Sequence, residues 1–140
     1  MKKLILCLCL MASTAIASDR TTNGLSEASQ LGITAGLALA CNAGSKLDDF
    51  ELIASRIIAD KALTEEAEKV GYREFAEAKF RAYKEQRNSP KESCGAVLDS
   101  FNRLPIFKST VYADGGVKMY DGTYLKPRRP VNKKPSAGKK

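Results

Sequence analysis

Glu27-Ala28-Ser29-Gln30-Leu31-Gly32-Ile33-Thr34-Ala35-Gly36-Leu37-Ala38-Leu39-Ala40-Cys41 is the stretch on which the fold turns. Ser26 stands where an N-cap belongs, and the segment ends at Asn42 to Gly44, so the spacing predicts a helix. Ala28, Gly32, Gly36 and Ala40 recur every four residues. They form a smooth stripe against which a second helix can lie closely. The same spacing marks helix dimers in membranes, but this segment is short and carries Ser29, Gln30 and Thr34, so it is read as a buried helix of a packed core.

Three more helices follow. Ser45-Lys46-Leu47-Asp48 resembles a capping box, and Leu47, Phe50, Ile53, Ala54, Ile57 and Ile58 then keep helical spacing. Thr64 caps the next helix, with Glu65, Glu66 and Glu68 in the first turn where the helix dipole favours anions. This third helix runs to about Arg87 and is the longest element. Tyr72, Phe75, Ala76, Phe80 and Tyr83 are expected to form its buried face, and Arg73, Glu77, Arg81 and Glu85 alternate in sign at four-residue steps. Ser89-Pro90-Lys91-Glu92 reads as an N-cap, a proline at the first helical position and a capping-box acid, so a fourth helix is expected to begin there. It carries Cys94, Val97, Leu98 and Phe101 and is expected to stop near Leu104, before Pro105.

Beyond Pro105 the periodicity changes. Phe107 to Ala113 and Val117 to Tyr120 read as strands joined at Asp114-Gly115-Gly116, a turn that needs positive φ. Asp121-Gly122 offers a second turn before Tyr124-Leu125. A lone hairpin is marginal in water, so it is expected to pack on the helices or to complete a partner's sheet. Residues 126–140, proline-interrupted and basic, are expected to be a disordered tail. No internal repeat stands out.

The N-terminal end reads differently. Lys2 and Lys3 precede the apolar run Leu4 to Ala12, too short to cross a bilayer as a stable helix, and Ala15-Ile16-Ala17 presents small residues to a signal peptidase. Residues 1–17 are therefore expected to be a signal peptide cleaved after Ala17, placing the protein in the periplasm or outside the cell with no transmembrane segment after processing. Of 23 basic residues Lys2 and Lys3 leave with the leader, and 21 remain against 16 acidic ones. Lys126, Arg128, Arg129, Lys133, Lys134, Lys139 and Lys140 lie in the last fifteen positions, which hold no acid, so the basicity belongs to the tail. Two of the four cysteines also sit in the leader. Cys41 and Cys94 remain, and in an exported chain the expectation is a disulfide. A redox-active pair would instead call for cysteines close in sequence, as in Cys-X-X-Cys.

Few residues suggest chemistry. The chain contains no histidine, which removes the commonest general base and metal ligand. Neither a Gly-X-Ser-X-Gly elbow nor a Ser-X-X-Lys motif marks a nucleophile. Asp48-Asp49 and Glu65-Glu66 fall in first turns of helices, where acids serve caps and dipoles, and the two Asp-Gly turns lack the ligand series of a calcium loop. No catalytic residue, metal site or cofactor is expected.

Two binding surfaces are. Phe107, Tyr112, Tyr120 and Tyr124 group aromatics beside glycine turns, a composition that interfaces favour, although the same residues can cap the helical core. In the tail, Lys126, Arg128, Arg129, Lys133 and Lys134 would attract anions, or would serve only as a solubilising terminus. Nucleic acid is disfavoured by the leader and by the lack of tail aromatics for bases to stack on.

The sequence thus predicts a mainly α fold: a bundle of about four helices over 18–104 stapled by one disulfide, a β-hairpin extension over 105–125 and a basic tail over 126–140. Its expected role is that of an exported protein-binding or accessory protein, such as a subunit of an envelope or secretion complex or an inhibitor. The partner would be another envelope or secreted protein. In general plan the chain is similar to small exported helical proteins with one disulfide, such as acid-stress periplasmic chaperones and toxin-neutralising immunity proteins. Two alternatives are a protein that binds a polyanion or membrane surface through its tail and a histidine-independent hydrolase with a lysine or carboxylate base.

Overall fold

Local signals start most of the elements. In the computed structural model, which describes residues 25–127, the Ser26 hydroxyl accepts the Ser29 N–H at 3.2 Å and opens helix α1 (Glu27–Ala40). Residues 1–24, which include the expected leader, and the expected tail beyond Pro127 lie outside the described residues. α1 ends in a Schellman motif. Asn42 adopts φ 60°, the Asn42 N–H reaches the Leu39 carbonyl at 3.2 Å, and the Ala43 N–H reaches that of Ala38 at 3.0 Å.

Helix α2 (Ser45–Lys61) then starts from Gly44, at φ 65°. Ser45 is its first helical residue and not its cap, because a chain leaving the Schellman turn needs a positive φ at the next reversal, a conformation open to glycine. Thr64 caps helix α3 (Glu65–Asn88) as expected, accepting the Ala67 N–H at 3.1 Å.

The start of the fourth helix differs from expectation. Ser89 terminates α3 with φ −148°, and helix α4 (Cys94–Asn102) opens at Ser93, whose hydroxyl accepts the Ala96 N–H at 3.2 Å. Pro90 acts backwards here, forcing the residue before it out of the helical region. The buried side-chain amide of Gln86 donates to the Glu92 carbonyl at 2.8 Å, holding the connecting segment against α3. A 3₁₀ turn (Pro105–Lys108) follows α4 and takes up Phe107, so the first strand begins later than the aromatic run suggests.

Strands β1 (Thr110–Val111), β2 (Val117–Lys118) and β3 (Tyr124–Leu125) form an antiparallel meander in that order, with Val111 opposite Val117 and Val117 opposite Leu125. The extension is thus a three-stranded sheet and not one hairpin. Its two reversals have the same construction. Tyr112 N–H bonds to the Gly116 carbonyl at 2.8 Å around Asp114 and Gly115, and Met119 N–H bonds to the Thr123 carbonyl at 2.7 Å around Asp121 and Gly122. Gly115 and Gly122 take φ 84° and 89°, closing three-residue loops. The pattern returns after seven residues, a short internal repeat that the sequence holds in Asp-Gly spacing alone.

Packing follows the glycine stripe. Ala28, Gly32, Gly36 and Ala40 are all buried, and Gly32 and Gly36 face Ala78 and Ala82 of α3. The approach is so close that a Cβ on Gly36 would fall 2.9 Å from the Ala82 methyl and 3.0 Å from the Lys79 carbonyl carbon. Only an alanine face can meet such a surface. The expected aromatic face of α3 is therefore displaced: Ala76 is exposed, Phe80 is 64 % exposed, and Phe75, Tyr72 and Tyr83 flank the contact half-buried.

The other side of α1 carries Ala35 and Ala38 into a core made with Leu47, Phe50, Ile53 and Ala54 of α2, Phe101 of α4, Ile106, Val117 and Leu125. Helices and sheet share this one core. The Cys41–Cys94 disulfide ties the C-cap of α1 to the first residue of α4, across Cα atoms 5.1 Å apart. Closing a loop with a sequence separation of 53 stabilises the fold by about 4 kcal/mol on the chain-entropy account.

Candidate functional site: the aromatic face of the sheet

The register sorts the sheet into two sides. Paired residues share a face, so Val117 and Leu125 point together into the core, whereas Thr110, Lys118 and Tyr124 point together away from it. Tyr112, just past β1, brings its ring to Tyr124 with centroids 5.9 Å apart and planes inclined by 58°. The two rings remain 44 % and 47 % exposed, and Tyr120, at the second reversal, is 57 % exposed.

Turn chemistry holds these side chains in place. Asp114 accepts the Gly116 N–H at 2.9 Å, and Asp121 accepts the Thr123 N–H at 2.9 Å, so each loop is braced by its own carboxylate. The Thr123 N–H lowers the pKa of Asp121 from the usual carboxylate value. Gly116 has a second duty. Its missing side chain leaves the space that the Tyr124 hydroxyl occupies, and any Cβ there would collide with that phenol. Desolvation by its neighbours, and then the charge of Asp114, raise the pKa of Tyr124 above the ordinary phenol value.

The edge adds a second kind of contact. β1 pairs with β2 alone, so its outer side presents backbone N–H and C=O groups without a ladder partner among the described residues. Val111 sits on that edge, 42 % exposed although it lies on the core side of the sheet. An extended chain laid along β1 would meet open hydrogen-bonding groups, a valine on one side and the tyrosine pair on the other.

Of the four aromatics singled out by sequence, Tyr112, Tyr120 and Tyr124 stand on this surface. Phe107 does not. Its ring packs on Phe101 at 5.1 Å and on Phe50 at 6.3 Å between centroids, with the Lys46 ammonium 5.6 Å from its own centroid. Val111 and Lys118 join the surface in its place; alternation along the strands pointed to them, but the second hairpin had to be known first. Lys126 is exposed just after β3, whereas Arg128, Arg129, Lys133 and Lys134 lie outside the described residues.

The chain matches no protein-family model, no curated protein and no solved structure. Among the described residues, no three His, Cys, Asp or Glu side chains gather as a metal site would require, and no helix is long and apolar enough to cross a membrane.

Proposed function

We propose that the protein is an exported binding module that recognises another polypeptide through its sheet. The observation that carries this reading is the exposed tyrosine cluster beside an unpaired strand edge. Main-chain groups of β1 would bond an added strand, and Tyr112, Tyr124 and Val111 would discriminate among its side chains. Tyrosines suit this task because they bury a large area at low rotamer cost and keep a polar tip.

The disulfide-tied helices serve as the platform. Val117 and Leu125 anchor the sheet in the helical core, so its outer face is presented in one geometry and little ordering cost falls on association. Export is supported by the leader-like residues 1–17 and by a cross-link of the kind that persists in oxidising compartments. An accessory subunit of an envelope complex, or an inhibitor that blocks its target by strand addition, fits this description.

The test uses a photo-reactive amino acid placed at Val111, Tyr112 or Tyr120 of the protein in its native envelope. The same partner should be cross-linked from all three positions and not from Leu63, which is 97 % exposed in the segment between α2 and α3. Changing Tyr112 and Tyr124 together to Ser should weaken that complex at least tenfold at both low and high salt. Cross-linking that is equal from Leu63, or binding that survives the double change, would refute the assignment.

A further inference from the structure

A groove of about 520 Å³ runs along the side of α1 and α3 turned away from α2, closed at one end by α4. Its floor is apolar: Ile33 and Leu37 of α1, Ala78 and Ala82 of α3, and Val97 of α4. Its rim is acidic, with Glu74, Glu77, Glu85 and Glu92 against Arg81 and Lys91. Glu74 is engaged by the Ser26 hydroxyl. Glu77, Glu85 and Glu92 form no ion pair among the described residues. The groove therefore combines an unfilled apolar floor with a rim of four carboxylates against two cations, and its complement is an extended segment with small apolar groups and several cations.

The chain contains such a segment. Residues 128–140 read Arg-Arg-Pro-Val-Asn-Lys-Lys-Pro-Ser-Ala-Gly-Lys-Lys: six cations, no acid, and Pro130, Val131 and Pro135 interspersed. Thirteen residues reach about 45 Å when extended. A folded unit of about 100 residues has a radius of gyration near ~13 Å, so most of its surface lies within that reach of Pro127. Proline restricts the segment before it binds, which lowers the ordering cost.

We propose that this groove is the docking site of the protein's own C-terminal segment, which lies over Ile33, Leu37 and Val97 with its cations on Glu77, Glu85 and Glu92. A tethered segment meets its site at an effective concentration on the order of 1 mM. A groove that bound the free peptide with a Kd of about 0.1 mM would then be about 90 % occupied within the chain, so docking needs only weak intrinsic affinity. Because the contacts are exposed ion pairs around an apolar floor, salt loosens them, and a polyanion competing for the cations would open the groove.

The experiment is limited trypsin digestion of the full chain, following cleavage after Arg128 and after Lys133, bonds not followed by proline. At low ionic strength both should be cut about tenfold more slowly than in the free peptide of residues 126–140, at a rate ratio independent of protein concentration. In 0.5 M salt the protection should fall below about twofold. The variant Glu77→Gln/Glu85→Gln/Glu92→Gln should lose it even at low salt. Its melting temperature in 0.5 M salt, where docking is lost from both proteins, should match that of the unaltered protein and reports that it remains folded. Equal cleavage of chain and peptide at low salt overturns the proposal. Protection that survives the triple change places the segment elsewhere, and protection that grows with protein concentration assigns the groove to the tail of a second copy; either result also overturns it.

Discussion

Replacing Gly36 with Ala tests the close approach of α1 and α3 directly. In an isolated helix the change would favour folding by about 1 kcal/mol. Here the new methyl arrives 2.9 Å from the Ala82 methyl and 3.0 Å from the Lys79 carbonyl carbon, with the Lys79 oxygen closer still. Carbon pairs rest at roughly 3.5–4.0 Å, so the helices must part by about 0.6–1 Å, a gap that forfeits a quarter to a half of each dispersion contact along the stripe. Overpacking costs about 1–3 kcal/mol, and the upper figure applies because the obstacle is main chain that cannot rotate aside. The net is a loss of about 2 kcal/mol, or roughly 8–16 °C in Tm for a domain of this size. Gly95→Ala is the matched control: its Cβ would meet only the Ser93 hydroxyl, at 3.9 Å, so the propensity gain should survive and Tm should rise by a few degrees. Thermal unfolding by circular dichroism measures both. A Gly36→Ala protein within 0.5 kcal/mol of the parent, or two variants shifting in the same direction, would refute the packing argument.

Three further outcomes follow from the same geometry. Reducing the Cys41–Cys94 bond should remove about 4 kcal/mol, read from urea unfolding with and without reductant. Phe107→Ala should cost roughly 3 kcal/mol by emptying its place beside Phe50 and Phe101, whereas Tyr120→Ala should stay within about 0.5 kcal/mol; comparing their unfolding curves separates the core aromatic from the surface one. In an ultraviolet titration the Tyr124 phenolate should form above the ordinary tyrosine range, and Asp114→Asn should lower it only in part, because desolvation is the larger cause. Because the folded state resists that ionisation, its contribution to stability is complete below the unfolded phenol pKa of 10.0 and disappears as pH rises through the higher folded value.

Much of the fold is legible one segment at a time. Ser26 and Thr64 cap the helices they announce, the apolar stripe of α2 enters the core almost unchanged, and two cysteines outside the expected leader leave a single pairing. The failures have a common cause. α3 offers an aromatic face and an alanine face, and only the glycine stripe of a helix some forty residues earlier selects the second. Ser89-Pro90 carries both a start and a stop signal, and the choice is made by Gln86, whose amide holds the Glu92 carbonyl. The surface tyrosines were visible as a cluster, but separating them from Phe107 required knowing that Pro105 begins a 3₁₀ turn. The groove was not legible at all, because Ile33, Ala78 and Val97 become neighbours only after three helices have packed.

The matching reversals at Asp114-Gly115 and Asp121-Gly122 constrain how the sheet could change width. The loops recur after seven residues, an odd number, whereas side chains change face at every residue, so Val111, Val117 and Leu125 fall into one row at intervals of six and then eight. Deleting the seven residues 112–118 would carry Tyr124 into that row and turn Leu125 outward. The strand array can therefore lose or gain a loop only where the alternation of faces is restored at the same time.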